Sequence, residues 1–212
     1  MDKNKSEHQF FAELLSDTEK QFMQSPVYQK QLKQRKNWNY TVCDTPIQRK
    51  KGILFGINWG GDNIQPQTQM PTGENIVNYT FIKQSRKYLE QLGLNFSDIN
   101  FNYTNLCFFR TPKANLLEED DFRLSVPLFE KYVRYINPPW LLSIGGKNMK
   151  ILDKLGLLRD IERHYDHHGR FKGHSALLWN WNVFSAPHSQ AKMTNKARQT
   201  IWDKLIVLMN KL

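Results

Sequence analysis

The chain has 212 residues, 40% of them hydrophobic and 13% aromatic, which is enough for a full core and excludes a disordered protein. Lys and Arg number 30 against 20 Asp and Glu, a net charge of +10, which favours a polyanionic partner, nucleic acid ahead of a membrane surface. Two cysteines exclude a disulfide framework and a four-thiolate metal site, and no apolar stretch has membrane length, so the expected location is the cytoplasm.

From Ser6 or Glu7, apolar residues recur at Phe11, Leu14, Leu15 and Phe22, the spacing of one helix face. A second, more basic helix is expected over Val27 to Arg35, and Asn37 to Gln48 reads as an extended lead into the sheet. Residues 1–45 thus form an N-terminal helical extension, and residues 46–212 the α/β domain. Ile53-Leu54-Phe55 is a buried strand that breaks into Gly56-Ile57-Asn58-Trp59-Gly60-Gly61. The loop Asn63 to Gly73 is long for a compact domain, and such loops often carry function.

A helix over Asn75 to Leu92, closed by Gly93, precedes a β-rich stretch, Ile99 to Phe109, that stops at Arg110-Thr111-Pro112. A helix capped by Asp120 or Asp121 runs to Ile136 and halts at Asn137-Pro138-Pro139. Trp140 to Ile144 is a third strand, ending in Gly145-Gly146 and followed by a short helix to Leu155. His164 to His174 reads as a polar connection, Ala176 to Ser185 as a fourth strand, and Thr194 or Asn195 caps a last helix. The alternation predicts an α/β fold: a three-layer α/β/α arrangement with a four-stranded, mainly parallel sheet.

Each strand ends in polar or glycine-rich residues: Asn58; Asn105 to Arg110; Gly145 and Gly146; His188 and Ser189. Neither the GxSxG elbow, the GxxxxGKS/T phosphate loop nor the GxGxxG dinucleotide motif occurs. What remains suits a flat polar heterocycle. Asn105 offers donor and acceptor to a base edge, His188 a partner for a developing anion, and Asn58 or Asp62 a group to orient water. Each also has an ordinary structural use: Asn58 as a turn former, Asn105 as a strand-end cap, His188 as a loop histidine, Asp62 as a helix cap. His164, His167, His168 and His174 match no zinc-ligand spacing. Trp179 and Trp181 are expected on one face of the last strand.

At these strand ends the chain resembles the uracil-DNA glycosylase superfamily. GINWGG, Gly56 to Gly61, is similar to the GINPG or GMNPG water-positioning motif of the single-strand-selective and mismatch-specific branches, with Asn58 on the motif's Asn and Trp59 in place of its Pro. YTNLCFFRTP, Tyr103 to Pro112, resembles the strand whose Asn reads the pyrimidine edge, here Asn105. PPWLLSIGGKN, Pro138 to Asn148, resembles the third strand, and APHSQAKM, Ala186 to Met193, the leaving-group and wedge loop, with His188 on the motif's His. Iron–sulfur ligands are missing, and no aromatic stands near Met70 or Pro71, where the base-stacking ring is usual.

The resemblance implies a monomer that flips a uracil or related damaged base out of DNA and hydrolyses its N-glycosidic bond, without cofactor, metal or membrane. Asn58 positions the water, His188 stabilises the leaving base, and Asp62 is a second candidate base. Gly56, Ile57, Trp59, Tyr79 and Asn105 contact the base, with Trp59 or Tyr79 supplying the stacking ring. Gly145, Gly146, Lys147, Ser189, Gln190 and Lys192 contact DNA. Two other readings stay open: a non-catalytic nucleic-acid-binding protein with this fold, and a hydrolase of free nucleosides or nucleotides.

Overall fold

The computed structural model describes residues 5–61, 65–188 and 191–212, the side chain of Phe171 excepted. In chain order these form α1 (Glu7–Gln24), α2 (Pro26–Gln34), β1 (Ile53–Trp59), α3 (Thr80–Gln91), β2 (Asn102–Arg110), α4 (Glu119–Ile136), β3 (Leu141–Ile144), α5 (Lys147–Lys154), β4 (Leu158–Tyr165), β5 (Phe171–Leu178), β6 (Trp181–Ala186) and α6 (Asn195–Met209). The strands make one mixed sheet in the order β2-β1-β3-β6-β5-β4. β1 with β3 and β3 with β6 run parallel; β6 with β5 and β5 with β4 run antiparallel. Among the described residues no helix is long and apolar enough to cross a membrane.

The sheet therefore has six strands rather than the expected four, and its second half is antiparallel. Two features of the chain account for this. The stretch Ala176 to Ser185 is a hairpin: Leu178 pairs with Trp181, and the chain reverses through Trp179 and Asn180. Trp179 takes φ +55°, the left-handed region where Gly or Asn is usual, so no turn residue marked the break. Trp179 consequently lies in the turn, edge-on to Trp181, rather than along a strand face. β4 is almost wholly exposed and charged, and so lacks apolar alternation. The supposed polar connection His164 to His174 comprises the end of β4, a turn held by Asp166, and the start of β5.

By its contacts the chain divides into two compact units. The first takes in the described residues of Met1–Arg49, Gly56–Gly73 and Asn102–Asn137. Ser6 and Gln9 close a capping box on α1, and Ser25 both ends α1 and caps α2. The apolar face of α1 packs on α4, with Phe10 stacked on Tyr135 at 3.8 Å. Asp121 is fully buried; its two oxygens accept from the backbone N–H of Val27 at 2.9 Å and of Glu118 at 2.7 Å. One carboxylate thus starts α4 and anchors α2.

The segment after α2 closes the outer edge of β2. Thr41 N–H donates to Phe108 O at 2.9 Å, Arg110 N–H to Asn39 O at 2.7 Å, and Asp44 N–H to Tyr103 O at 3.0 Å. Gln67, from the long loop, then accepts from Val42 N–H at 2.8 Å and donates to Cys43 O at 2.8 Å. The expected lead into β1 is therefore an edge cover for β2, which removes an exposed template for aggregation.

The second unit is Lys50–Phe55, Glu74–Phe101 and Pro138–Leu212. α3 ends in a Schellman motif: Gly93, at φ +76°, donates to Glu90 O, and Leu94 N–H to Leu89 O. Tyr88 of α3 stacks on Trp202 of α6 at 5.0 Å. Thr194 caps α6 through Ala197 N–H, and Ala197, Ile201, Leu205 and Met209 form its buried face with Trp202.

Candidate functional site

In the first unit, Asn58 stands near the carboxyl end of β1. Its Nδ2 donates to Thr111 Oγ1 at 2.9 Å and to the carbonyls of Thr111 and Trp59, both at 3.2 Å. Two of the three acceptors are carbonyl oxygens, which cannot donate, so the amide orientation is fixed and Oδ1 points away from them. Thr111 is fully buried, donates its hydroxyl to Lys113 O at 3.0 Å and its N–H to Trp59 O at 3.2 Å. It is the group that sequence reasoning missed; its only signal was its place in the Arg110-Thr111-Pro112 stop after β2.

Asn105 lies against the same strand. A Cβ built on Gly56 would meet Asn105 Oδ1 at 2.2 Å, so only glycine admits the asparagine there. Asn105 is 3% exposed. Ile57 is half-buried. Trp59 is buried edge-on against Tyr103 with ring centroids 5.8 Å apart, and its Nε1 is buried without a partner among the described residues. Burial and the Asp44 carboxylate push the Tyr103 phenol well above its ordinary range, so it stays protonated. Asp62 lies outside the described residues.

In the second unit, Gly145 ends β3 at φ +89°, with His188 against it: a Cβ there would meet His188 Cβ at 3.1 Å. Gly145 N–H donates to Ala186 O at 2.9 Å, tying this turn to the end of β6. His188 is exposed, yet the atoms packed about its ring, then the Arg198 and Lys147 cations, lower its pKa and keep it neutral at pH 7. Arg198 was also missed. Its guanidinium donates to His188 O at 3.1 Å and Ala191 O at 3.3 Å, bracing the loop from one turn inside α6. Gly146 precedes α5, with His174 Cε1 3.8 Å from where its Cβ would stand; Lys147 is exposed at the first position of α5. Lys192 is exposed, and Tyr79 is half-buried at the N-cap of α3. Ser189 and Gln190 lie outside the described residues.

The structure thus brings Gly56, Asn105, Trp59 and Tyr103 together in one unit, with Asn58 held beside them by Thr111. In the other unit it brings Gly145 to His188, with Lys147 near enough to act on the ring. The chemistry available is an oriented amide at Asn58, a buried amide at Asn105 and a neutral imidazole at His188. No protein-family model matches the chain, and no curated protein matches it in sequence.

Proposed function

We propose that the protein is a DNA glycosylase that hydrolyses the N-glycosidic bond of uracil or a related damaged base flipped out of DNA. One observation carries this reading: the three-way anchoring of Asn58 Nδ2 on Thr111 and Trp59, which leaves Oδ1 to accept from a water. A turn-forming Asn needs no such clamp. In this reading Asn58 orients the attacking water and Asn105 pairs with the base edge. Neutral His188 donates to the base oxygen as negative charge builds there, a contribution of about 10²–10³ in rate for one such donor. Arg198 holds the loop that carries His188. The high positive charge supplies the electrostatic part of DNA binding. In this reading the protein acts as a cytoplasmic monomer.

A second reading is favoured by Trp59. The nearest candidate for a base-stacking ring is buried on Tyr103, so the fold could bind DNA without efficient excision. Labelled single- and double-stranded oligonucleotides with one uracil, hypoxanthine or xanthine separate the two. Alkali-sensitive cleavage that disappears in Asn58→Ala and His188→Ala supports the glycosylase. Binding with intact product strands for all three bases sinks it and leaves the binding module.

A further inference from the structure

A cavity of about 830 Å³ opens between α5 and β4, within the range of ligand sites. It is lined by residues that the glycosylase reading does not use. α5 presents Lys150 and Asp153, one turn apart on the same helix face. β4 presents Ile161, Glu162, Arg163 and Tyr165, so the wall carries two carboxylates, Asp153 and Glu162, beside its two cations. β5 presents His174, paired directly opposite Arg163. Ile161 is 40% and Tyr165 42% exposed, large for apolar side chains on a wall of this kind.

The floor is polar and built in depth. Arg163 pairs with His174, His174 with Ser185, and Ser185 with Ser143, one residue per strand on the face beneath α5. Ser185 Oγ accepts from His174 N–H at 3.1 Å and lies 3.1 Å from Nδ1. The ring is thereby fixed at the base of the cavity. The open edge of β4 does not suit strand addition by another protein. Its register shifts between Arg159 and Glu162, and Asp160 sits at φ +52°, a bulge that blunts the edge.

We propose that this cavity is a nucleoside-phosphate site, independent of the glycosylase reading. Its wall holds the three chemistries such a ligand needs. Lys150 and Arg163 give two cations for a phosphate. The half-exposed Tyr165 ring and Ile161 give a platform for the face of a base. Asp153 accepts from an exocyclic amine, as carried by cytosine and adenine and not by uracil or hypoxanthine. The phosphate can belong to a free mononucleotide or to one nucleotide of a single strand; the contacts are the same.

The test is calorimetric titration of the full chain at low salt with CMP, UMP, cytidine, inorganic phosphate and a short oligodeoxycytidine. One-site binding of CMP is expected, about tenfold tighter than UMP, cytidine or phosphate. The double variant Lys150→Glu/Arg163→Glu loses at least tenfold, and Asp153→Ala, which removes the acceptor and adds no donor, abolishes the preference for CMP over UMP while leaving UMP unchanged. These side chains are at the surface, so an unchanged melting temperature certifies the folded state. Asn58→Ala and His188→Ala should bind CMP as the parent does. Charge-reversal-sensitive binding of the oligonucleotide without binding of CMP assigns the site to a strand; binding of both assigns it to the free nucleotide. No saturation by CMP or oligonucleotide below about 1 mM overturns the proposal, as do equal affinities for phosphate and CMP, binding indifferent to charge reversal, or binding lost in Asn58→Ala.

Discussion

Replacing Gly56 by Ala puts a methyl carbon 2.2 Å from Asn105 Oδ1, where real Cβ atoms do not approach within 3.0 Å. The next atoms, Asn105 Cγ and Tyr103 Oη, would lie at 3.4 and 3.9 Å, so the conflict is with one oxygen. Asn105 is 3% exposed and cannot swing into solvent. Overpacking of this kind costs about 1–3 kcal/mol, and the stiffer unfolded chain returns about 0.4–1, a net loss of about 1–2 kcal/mol. Gly60 is the control: an added Cβ there meets nothing within 4 Å, so Gly60→Ala should be neutral or slightly stabilising. Urea unfolding followed by tryptophan fluorescence reads both. With Asn105 reading the base as proposed, displacing its amide by about 1 Å should lower kcat/KM about 10²-fold in the excision assay. Asn105→Ala removes the obstructing oxygen, so the cost of Gly56→Ala should shrink in that background. A Gly56→Ala protein as stable as Gly60→Ala, or a cost unchanged by Asn105→Ala, refutes the fit described for these strand ends.

Thr111→Val keeps the buried shape but removes the Oγ1 that Asn58 Nδ2 contacts at 2.9 Å. It should lose about 1–3 kcal/mol in urea unfolding, with excision falling in kcat more than in KM. His174 is held neutral down to about pH 4 against 6.5 when unfolded, first by burial, then by Arg163 and His164. The unfolded chain therefore binds the extra proton in that window, so stability is full above 6.5 and falls as pH drops towards 4, by up to about 3 kcal/mol. His174→Gln should flatten that part of the stability–pH curve. Asp121→Ala strands the N–H groups of Val27 and Glu118 and should cost about 1–3 kcal/mol for each one left buried, seen as a large drop in melting temperature.

Every helix the sequence announced is present, and several had a local signal: the apolar spacing of Phe11, Leu14 and Phe22 in α1, Thr194 capping α6, Gly93 beyond α3 and Asn137-Pro138 after α4, although Glu118 caps α4 rather than Asp120 or Asp121. The buried strands β1, β2 and β3 were legible for the same reason, as apolar runs closed by Gly or Pro. β4 was not, since an edge strand with exposed faces carries charge instead of alternation. The β5–β6 hairpin was not, since Trp179 rather than Gly occupies its positive-φ corner. At the candidate site the motifs point to side chains and not to the groups that hold them. Asn58 and His188 stand out by motif, whereas Thr111 and Arg198 act through backbone carbonyls and the Asn58 amide, relations of distance that no spacing encodes.

The polar row under α5 shows what those supports have in common. Ser143 and Ser185 are buried on a sheet face that a helix covers, where apolar residues would be cheaper. Each hydroxyl instead holds something. Ser143 Oγ accepts from Asn148 Nδ2 at 3.0 Å and donates to Gly145 O at 2.9 Å. That bond fixes the carbonyl of the glycine whose φ of +89° brings it against His188. Ser185, near the end of β6 and three residues upstream of His188, seats His174. Asn148 Oδ1 remains without a partner among the described residues, a cost of about 1–3 kcal/mol that packing alone would not retain. A buried hydrogen-bonded row with one acceptor left over serves position rather than stability. It sets the backbone at the end of β3 and the imidazole at the floor of the cavity.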